Sequence, residues 1–255
     1  GLARISRATG VNIVMGTSYY AAHTHPTDMS TRSEDEITSE IVRDITEGAN
    51  TSSWEFVAEK PSLILANTGF KSGVIGEVGC SWPIAKNELK VLRASGRAQK
   101  ITGAPILIHP GRNESAPIEI LDLLDQAGTN LERVIMGHID RTVFQKRTLE
   151  QIAQSGCYLE WDLFGSEKSY YNSEIDMPSD AVRMDDIAWI SSRGYGDKIL
   201  VAHDTVLEKE FATNGGHGYH HILSDIVPRM RARGYTEGAI NDILVTNPKN
   251  ALTFL

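Results

Sequence analysis

The chain has 255 residues, 41% of them hydrophobic and 23% charged, with a formal net charge of −8 at pH 7. That length suffices for one large core, and acidic charge dispersed without a Lys/Arg cluster excludes nucleic acid and anionic membrane surfaces as expected partners, leaving small soluble molecules. No run of about eighteen apolar residues is present, so no membrane span is expected, while Cys80 and Cys157, far apart and outside any CxxC pair, read as packed thiols of a cytoplasmic protein.

In chain order, GLARISRATG opens as a helix already under way, so a further segment is expected upstream of Gly1, and Gly10 breaks the helix. A strand is expected over 12–18. The connection 19–73 then holds a capping-box start, Ser33-Glu34-Asp35-Glu36, for a helix reaching about Glu47. Beyond it TSSWEFVAEKPSLILANTGFKS is of mixed character, with 62–66 composed like an extra strand. Connections this long are uncommon in a compact domain unless they are functional or disordered. From there strands at 74–78, 105–109, 134–138, 158–163 and 199–203 alternate with helices at 88–101, 117–127, 144–154, 182–192 and 220–233. A last helix starts near Thr236 and is expected to be interrupted at Asn247-Pro248, because proline lacks an amide and disfavours helix before it.

Parallel strands joined by helices have right-handed crossovers and need both faces covered, which leaves a closed barrel or an open doubly wound sheet. A closed barrel takes eight strands. Six are visible, and the missing two are expected to precede Gly1. No repeat, low-complexity tract or shift of composition marks a second domain, so 1–255 is expected to form one domain with an atypical stretch near 52–67.

Four of the strand-like runs end in an acid or an imidazole: Glu77 in GVIGEVG, His109 in PILIHPG, His138 in RVIMGHID and Asp204 in KILVAHD. Buried parallel sheets place their chemistry at the C-terminal ends of the strands. Converging there, these side chains form a donor set for divalent metal: imidazoles give directional nitrogens without added charge, and a carboxylate between two ions lowers their repulsion. Such a centre activates water for attack on a carbonyl or phosphoryl group. Tyr20, Arg112, Arg141 and His217 are candidate substrate contacts around it. A guanidinium offers forked donors to an anionic group, and the glycines of GGHGY permit close approach of backbone to a ligand. Each has an ordinary reading beside it: packed aromatic, surface salt-bridge partner or mobile connection. His203 alternates to the face opposite Asp204 and reads as packing, and Ser81-Trp82-Pro83 reads as a wall. His23-Thr24-His25 would share one face on a strand, but it lies past the strand's end with Pro26 next, and reads as a solvated loop pair.

Together, GVIGEVGCSWP, ILIHPGRN, MGHIDRT, CYLEWDLFG, ILVAHD, GGHGYHHIL, IVPRM and NPKNALTFL resemble the phosphotriesterase-related proteins of the amidohydrolase superfamily over nearly all the chain apart from 52–67. The resemblance implies a (β/α)8 TIM barrel of metal-dependent hydrolase type, N-terminally incomplete with about six of its eight strands present, and a centre of two divalent ions, zinc. It implies Glu77 as the bridging ligand where bacterial phosphotriesterases use a carbamylated lysine, and His109 and His138 as the histidines of the fifth and sixth strands. Asp204 matches the aspartate closing the eighth, both ligand and proton acceptor. The family's first-strand His-x-His has no counterpart. The implied activity is hydrolysis of the amide of a small N-acyl amino compound such as N-acetyltaurine, with an arginine gripping the sulfonate. A phosphotriester or lactone substrate remains open, as does a non-catalytic fragment that binds at most one ion weakly. The oligomeric state is not legible.

Overall fold

The aliphatic runs form six parallel strands of one sheet: β1 (Gly16–Thr17), β2 (Val74–Gly79), β3 (Ile106–His109), β4 (Val134–Met136), β5 (Tyr158–Trp161) and β6 (Ile199–Val201). The structure is a computed structural model and describes residues 1–50, 67–168 and 176–254. Each strand pairs with the next in the chain, in the order β1-β2-β3-β4-β5-β6. A doubly wound sheet reverses its strand order at a switch point. This one never does, so its winding is that of a (β/α)8 barrel, with six strands among the described residues.

Helices α1 (Leu2–Thr9) and α2 (Glu34–Thr46) precede β2. Between the later strands lie α3 (Lys86–Thr102), α4 (Ala116–Gln126), α5 (Ile139–Thr142), α6 (Lys146–Gln154) and α7 (Asp180–Ile190), and after β6 come α8 (Val227–Ala232), α9 (Glu237–Asn241) and α10 (Asn247–Leu252). Among the described residues no helix is long and apolar enough to cross a membrane.

Alternation along the strands decides which side chains meet the helices. Ile106 and Ile108 join the main core with Val91 and Leu92 of α3 and Leu124 of α4, whereas Leu107 packs with Ile135, Tyr158 and Leu200 on the opposite, inner face. A period of two then places His109 on the inner face with Leu107, and Glu160 and Asp162 there with Tyr158. Ala251 and Leu252 of α10 cover the inner apolar cluster.

Most elements fall within a few residues of their sequence-based spans. The strand expected over 12–18 is only Gly16–Thr17, and Val11, Ile13 and Val14 are exposed. Among the described residues β1 pairs with β2 on one side and with no strand on the other. The expected break at Asn247-Pro248 does not occur: the chain stays helical through a widened turn, Asp242–Thr246, into α10. The looser hydrogen-bond ladder of that turn accommodates the missing amide, and the Asn247 side chain donates to the carbonyls of Gly196 and Ile199 at 2.9 Å each. Pro228 follows a similar widened turn, Ile222–Ile226. The Ser33 capping box is present with both arms, Glu36 N to Ser33 Oγ at 3.2 Å and Ser33 N to Glu36 Oε2 at 2.7 Å. The extra strand expected over 62–66 lies outside the described residues.

Candidate metal centre

β2, β3 and β4 each deliver one donor to the inner face. A register irregularity between Ile75 and Val78 accompanies the position of Glu77. Glu77 Oε1 stands 3.1 Å from His109 Nδ1 and 3.1 Å from His138 Nε2, and the two imidazole nitrogens are 2.7 Å apart. Among the described residues, these are the three whose donor atoms lie within 4.8 Å of one another as a possible metal-holding group. One carboxylate oxygen and two imidazole nitrogens are the ligand chemistry of zinc and its divalent neighbours.

β4 ends at Met136, short of the expected 138, because His138 adopts a left-handed backbone with φ 55° and starts α5. Asp204 is left-handed too, at φ 47°. Non-glycine residues hold such backbone only where the surroundings over-determine it, and they gather at functional sites.

Burial raises the Glu77 carboxyl, but hydrogen bonds from His109 and His138 outweigh it and hold the group down to about 2. Burial lowers His138, yet the Asp162 carboxylate beside it overrides that and lifts the imidazole to about 10. His109 is pushed below its ordinary value by burial and by the charge of His138, against its hydrogen bond to Glu77. Imidazole and carboxylate groups ligate a divalent ion in their deprotonated forms, so metal binding at this cluster is coupled to pH.

Asp162 is the functional residue that sequence reasoning missed. Past the end of β5, it accepts from the backbone amide of His138 and from its Nδ1, both at 2.8 Å. That contact fixes which ring nitrogen of His138 faces Glu77. The available signal was alternation in CYLEWD, which puts Tyr158, Glu160 and Asp162 on one face. The Glu160 carboxyl is raised well above its ordinary value by burial and by the charge of Asp162.

The remaining expected site residues divide. The Tyr20 hydroxyl lies 3.0 Å from both ring nitrogens of His109, and Arg141, 2% exposed, places Nη2 3.2 Å from His109 Nε2. Arg112 is near enough for its charge to act on the Tyr20 phenol. The Asp204 carboxyl is pushed up to about 6 by burial, against the charge of His138 and with those of Asp162 and Glu77. It stands outside the group of three. His217 is placed with other histidines: its ring stacks with His203 at 5.9 Å and lies 6.0 Å from His221. His203 accepts from the amide of Ile222 at 3.0 Å. His25 bonds the Tyr20 carbonyl at 2.7 Å, and neither it nor His23 joins the metal-holding group. Residues 81–82 pack over Gly111, where an added Cβ would meet Ser81 C and Trp82 Cβ at 2.7 Å.

Carboxylate and imidazole donors gathered at the C-terminal ends of consecutively wound parallel strands define a barrel protein of the metal-dependent hydrolase class. Residues 1–252 match the phosphotriesterase family. A phosphotriesterase-related protein of Nematostella vectensis is 46% identical over 255 residues, 99% of this chain and 68% of that protein. The N-acetyltaurine hydrolase of Bos taurus is 44% identical over 252 residues, 98% of this chain and 68% of the bovine protein. A solved resiniferatoxin-binding protein from Rhodobacter sphaeroides superposes with a TM-score of 0.87 at 31% identity, covering 98% of this chain and 66% of the bacterial one. The chain belongs to the phosphotriesterase family, a family of metal-dependent hydrolases, and spans about two thirds of the length of these relatives.

Proposed function

We propose that this protein hydrolyses the amide of a small N-acyl amino compound, with N-acetyltaurine as the substrate that its relatives favour, releasing acetate and taurine. The observation that carries this reading is the meeting of Glu77, His109 and His138 in a chain 44% identical to an N-acetyltaurine hydrolase. On this reading residues 1–255 are a single barrel domain. Zinc, two ions per subunit, is the metal this reading assigns, and Glu77, His109, His138 and Asp204 would hold it, Glu77 as the shared carboxylate. Glu77, His109 and His138 bring donor atoms for an ion within reach of one another, and Asp204 would add a further carboxylate. Bound divalent metal supplies Lewis acidity, which polarises a carbonyl and lowers the pKa of water.

The chain's own residues do the rest. The Asp204 carboxylate, on the inner side past β6, takes the proton from attacking water and returns it to the leaving amine. Arg141, with a buried fixed charge beside His109, and Arg112, near Tyr20, receive the anionic end of the substrate through forked donors. The Tyr20 hydroxyl orients the acyl group, and His217 lines the rim. Cys80 and Cys157 are both buried free thiols, which supports a cytoplasmic place of action.

The test is taurine release from N-acetyltaurine by the purified protein before and after chelation, with zinc added back, beside a lactone and a phosphotriester. Loss on chelation and recovery with zinc are expected. Turnover indifferent to metal removal refutes the metal-dependent reading, and turnover of only the lactone or phosphotriester refutes the amide substrate.

A further inference from the structure

The ends of β4 and β5 hold each other through two aspartates that reach in opposite directions. Asp162, beyond β5, accepts from the amide and Nδ1 of His138. Asp140, two residues after His138, reaches the segment after β5, where its Oδ2 accepts from Leu163 N at 3.1 Å, and it also accepts from Arg183 Nε at 2.7 Å. Arg183 comes from α7 and is wholly buried. Its other donors go to Asp180 Oδ1 at 2.8 Å and to the Ser166 carbonyl at 2.9 Å. Asp180 also accepts from Gly165 N at 3.0 Å and meets His221 Nε2 at 2.8 Å. One guanidinium thus ties the turn that carries His138 to the loop after β5 and, through Asp180, to the start of the helical segment after β6.

Burying a guanidinium costs several kcal/mol unless it is fully paired, and an apolar side chain of similar volume is often no less stable. Stability alone is therefore a weak reason for Arg183. Geometry is a stronger one, because a left-handed backbone at a non-glycine residue costs on the order of 1–3 kcal/mol and persists only when neighbours hold it. His138 is that residue, bounded by Asp162 on one side and by the Asp140 turn on the other.

We infer that Arg183 is a positioning residue for the metal centre: by holding Asp140 against Leu163, it fixes the turn at His138 and keeps His138 Nε2 aimed at Glu77. The inference rests on the metal-dependent reading above. It assigns Arg183 no contact with substrate or ion.

The experiment uses the full chain and its Arg183→Met, Arg183→Lys and Asp140→Asn variants, with zinc alone as the probe, competed against a chromogenic chelator. The ring nitrogen signals of His138 are followed by NMR in the metal-free proteins. Arg183→Met is expected to weaken zinc binding by about 10- to 100-fold, as loss of a group supporting a ligand does, and to shift the His138 ring signals. Arg183→Lys, which can reach Asp140 but not all three partners, recovers part of both. If Arg183→Met does not fold, Asp140→Asn carries the same expectation. A variant that folds with a lower Tm but keeps wild-type zinc affinity and unchanged His138 signals overturns the inference, since a merely structural staple behaves that way. Should the unaltered chain bind no zinc, the functional reading fails separately, and the metal-free His138 signals still decide the role of Arg183.

Discussion

Tyr20 reaches the site through its hydroxyl, which lies against the His109 ring. Burial, reinforced by the charge of Glu77, pushes its phenol up to about 12, so the hydroxyl remains a donor at neutral pH. Its contact with His109 holds that ring without competing for a charge. Replacing Tyr20 with Phe removes one hydrogen bond and little volume. A fall in kcat/KM of about tenfold, roughly 1.4 kcal/mol, is expected with Tm nearly unchanged. Steady-state kinetics beside a thermal melt checks this, and wild-type kcat/KM would remove Tyr20 from the site. At this scale the sequence was informative about residue type: Glu77, His109 and His138 were legible because each ends an apolar run. Asp162 ends one as well, but only the fold shows that it reaches His138, 24 residues away.

Strand ends, more than strand bodies, build the site. Gly79 closes β2 directly beneath the segment that carries Tyr20: an added Cβ would lie 2.2 Å from Ala21 N and 2.5 Å from Tyr20 C. Both neighbours are backbone, so no rotamer change relieves the contact. Gly79→Ala is expected to destabilise by about 1–3 kcal/mol, the range for overpacking, and to displace Tyr20 with loss of activity. Urea midpoints measure the first effect, and an unchanged midpoint contradicts the close approach. The helix start at Ser33 was legible because a capping box is made by residues three apart. The shortness of β1 was not, since pairing depends on strand order. Nor was the continuity past Pro248, which depends on a turn wider than the usual helical period.

Across the whole molecule, the buried ion network makes stability depend on acid. Burial raises the Asp180 carboxyl, but its hydrogen bonds with His221 and the Gly165 amide, together with the charge of Arg183, bring it below its ordinary value. A carboxylate with a depressed folded pKa contributes stability that is fully present above the unfolded value, near 3.8, and is lost as pH falls through the folded one. Urea midpoints are therefore expected to fall as pH drops below about 4. Asp180→Asn should flatten that limb, and an equally steep acid limb in the variant would rule out Asp180 as its source.

The order of strands and helices, the residue types able to ligate metal and the face each strand shows its neighbours follow from hydrophobic period and side-chain alternation, which are local properties of the chain. Only the tertiary structure decided that the sheet winds without reversal, that Glu77 meets histidines 32 and 61 residues away, and that Asp140 and Asp162 clasp neighbouring strands around His138. Those meetings depend on pairing partner, register and crossover. Each joins segments that no short sequence period relates.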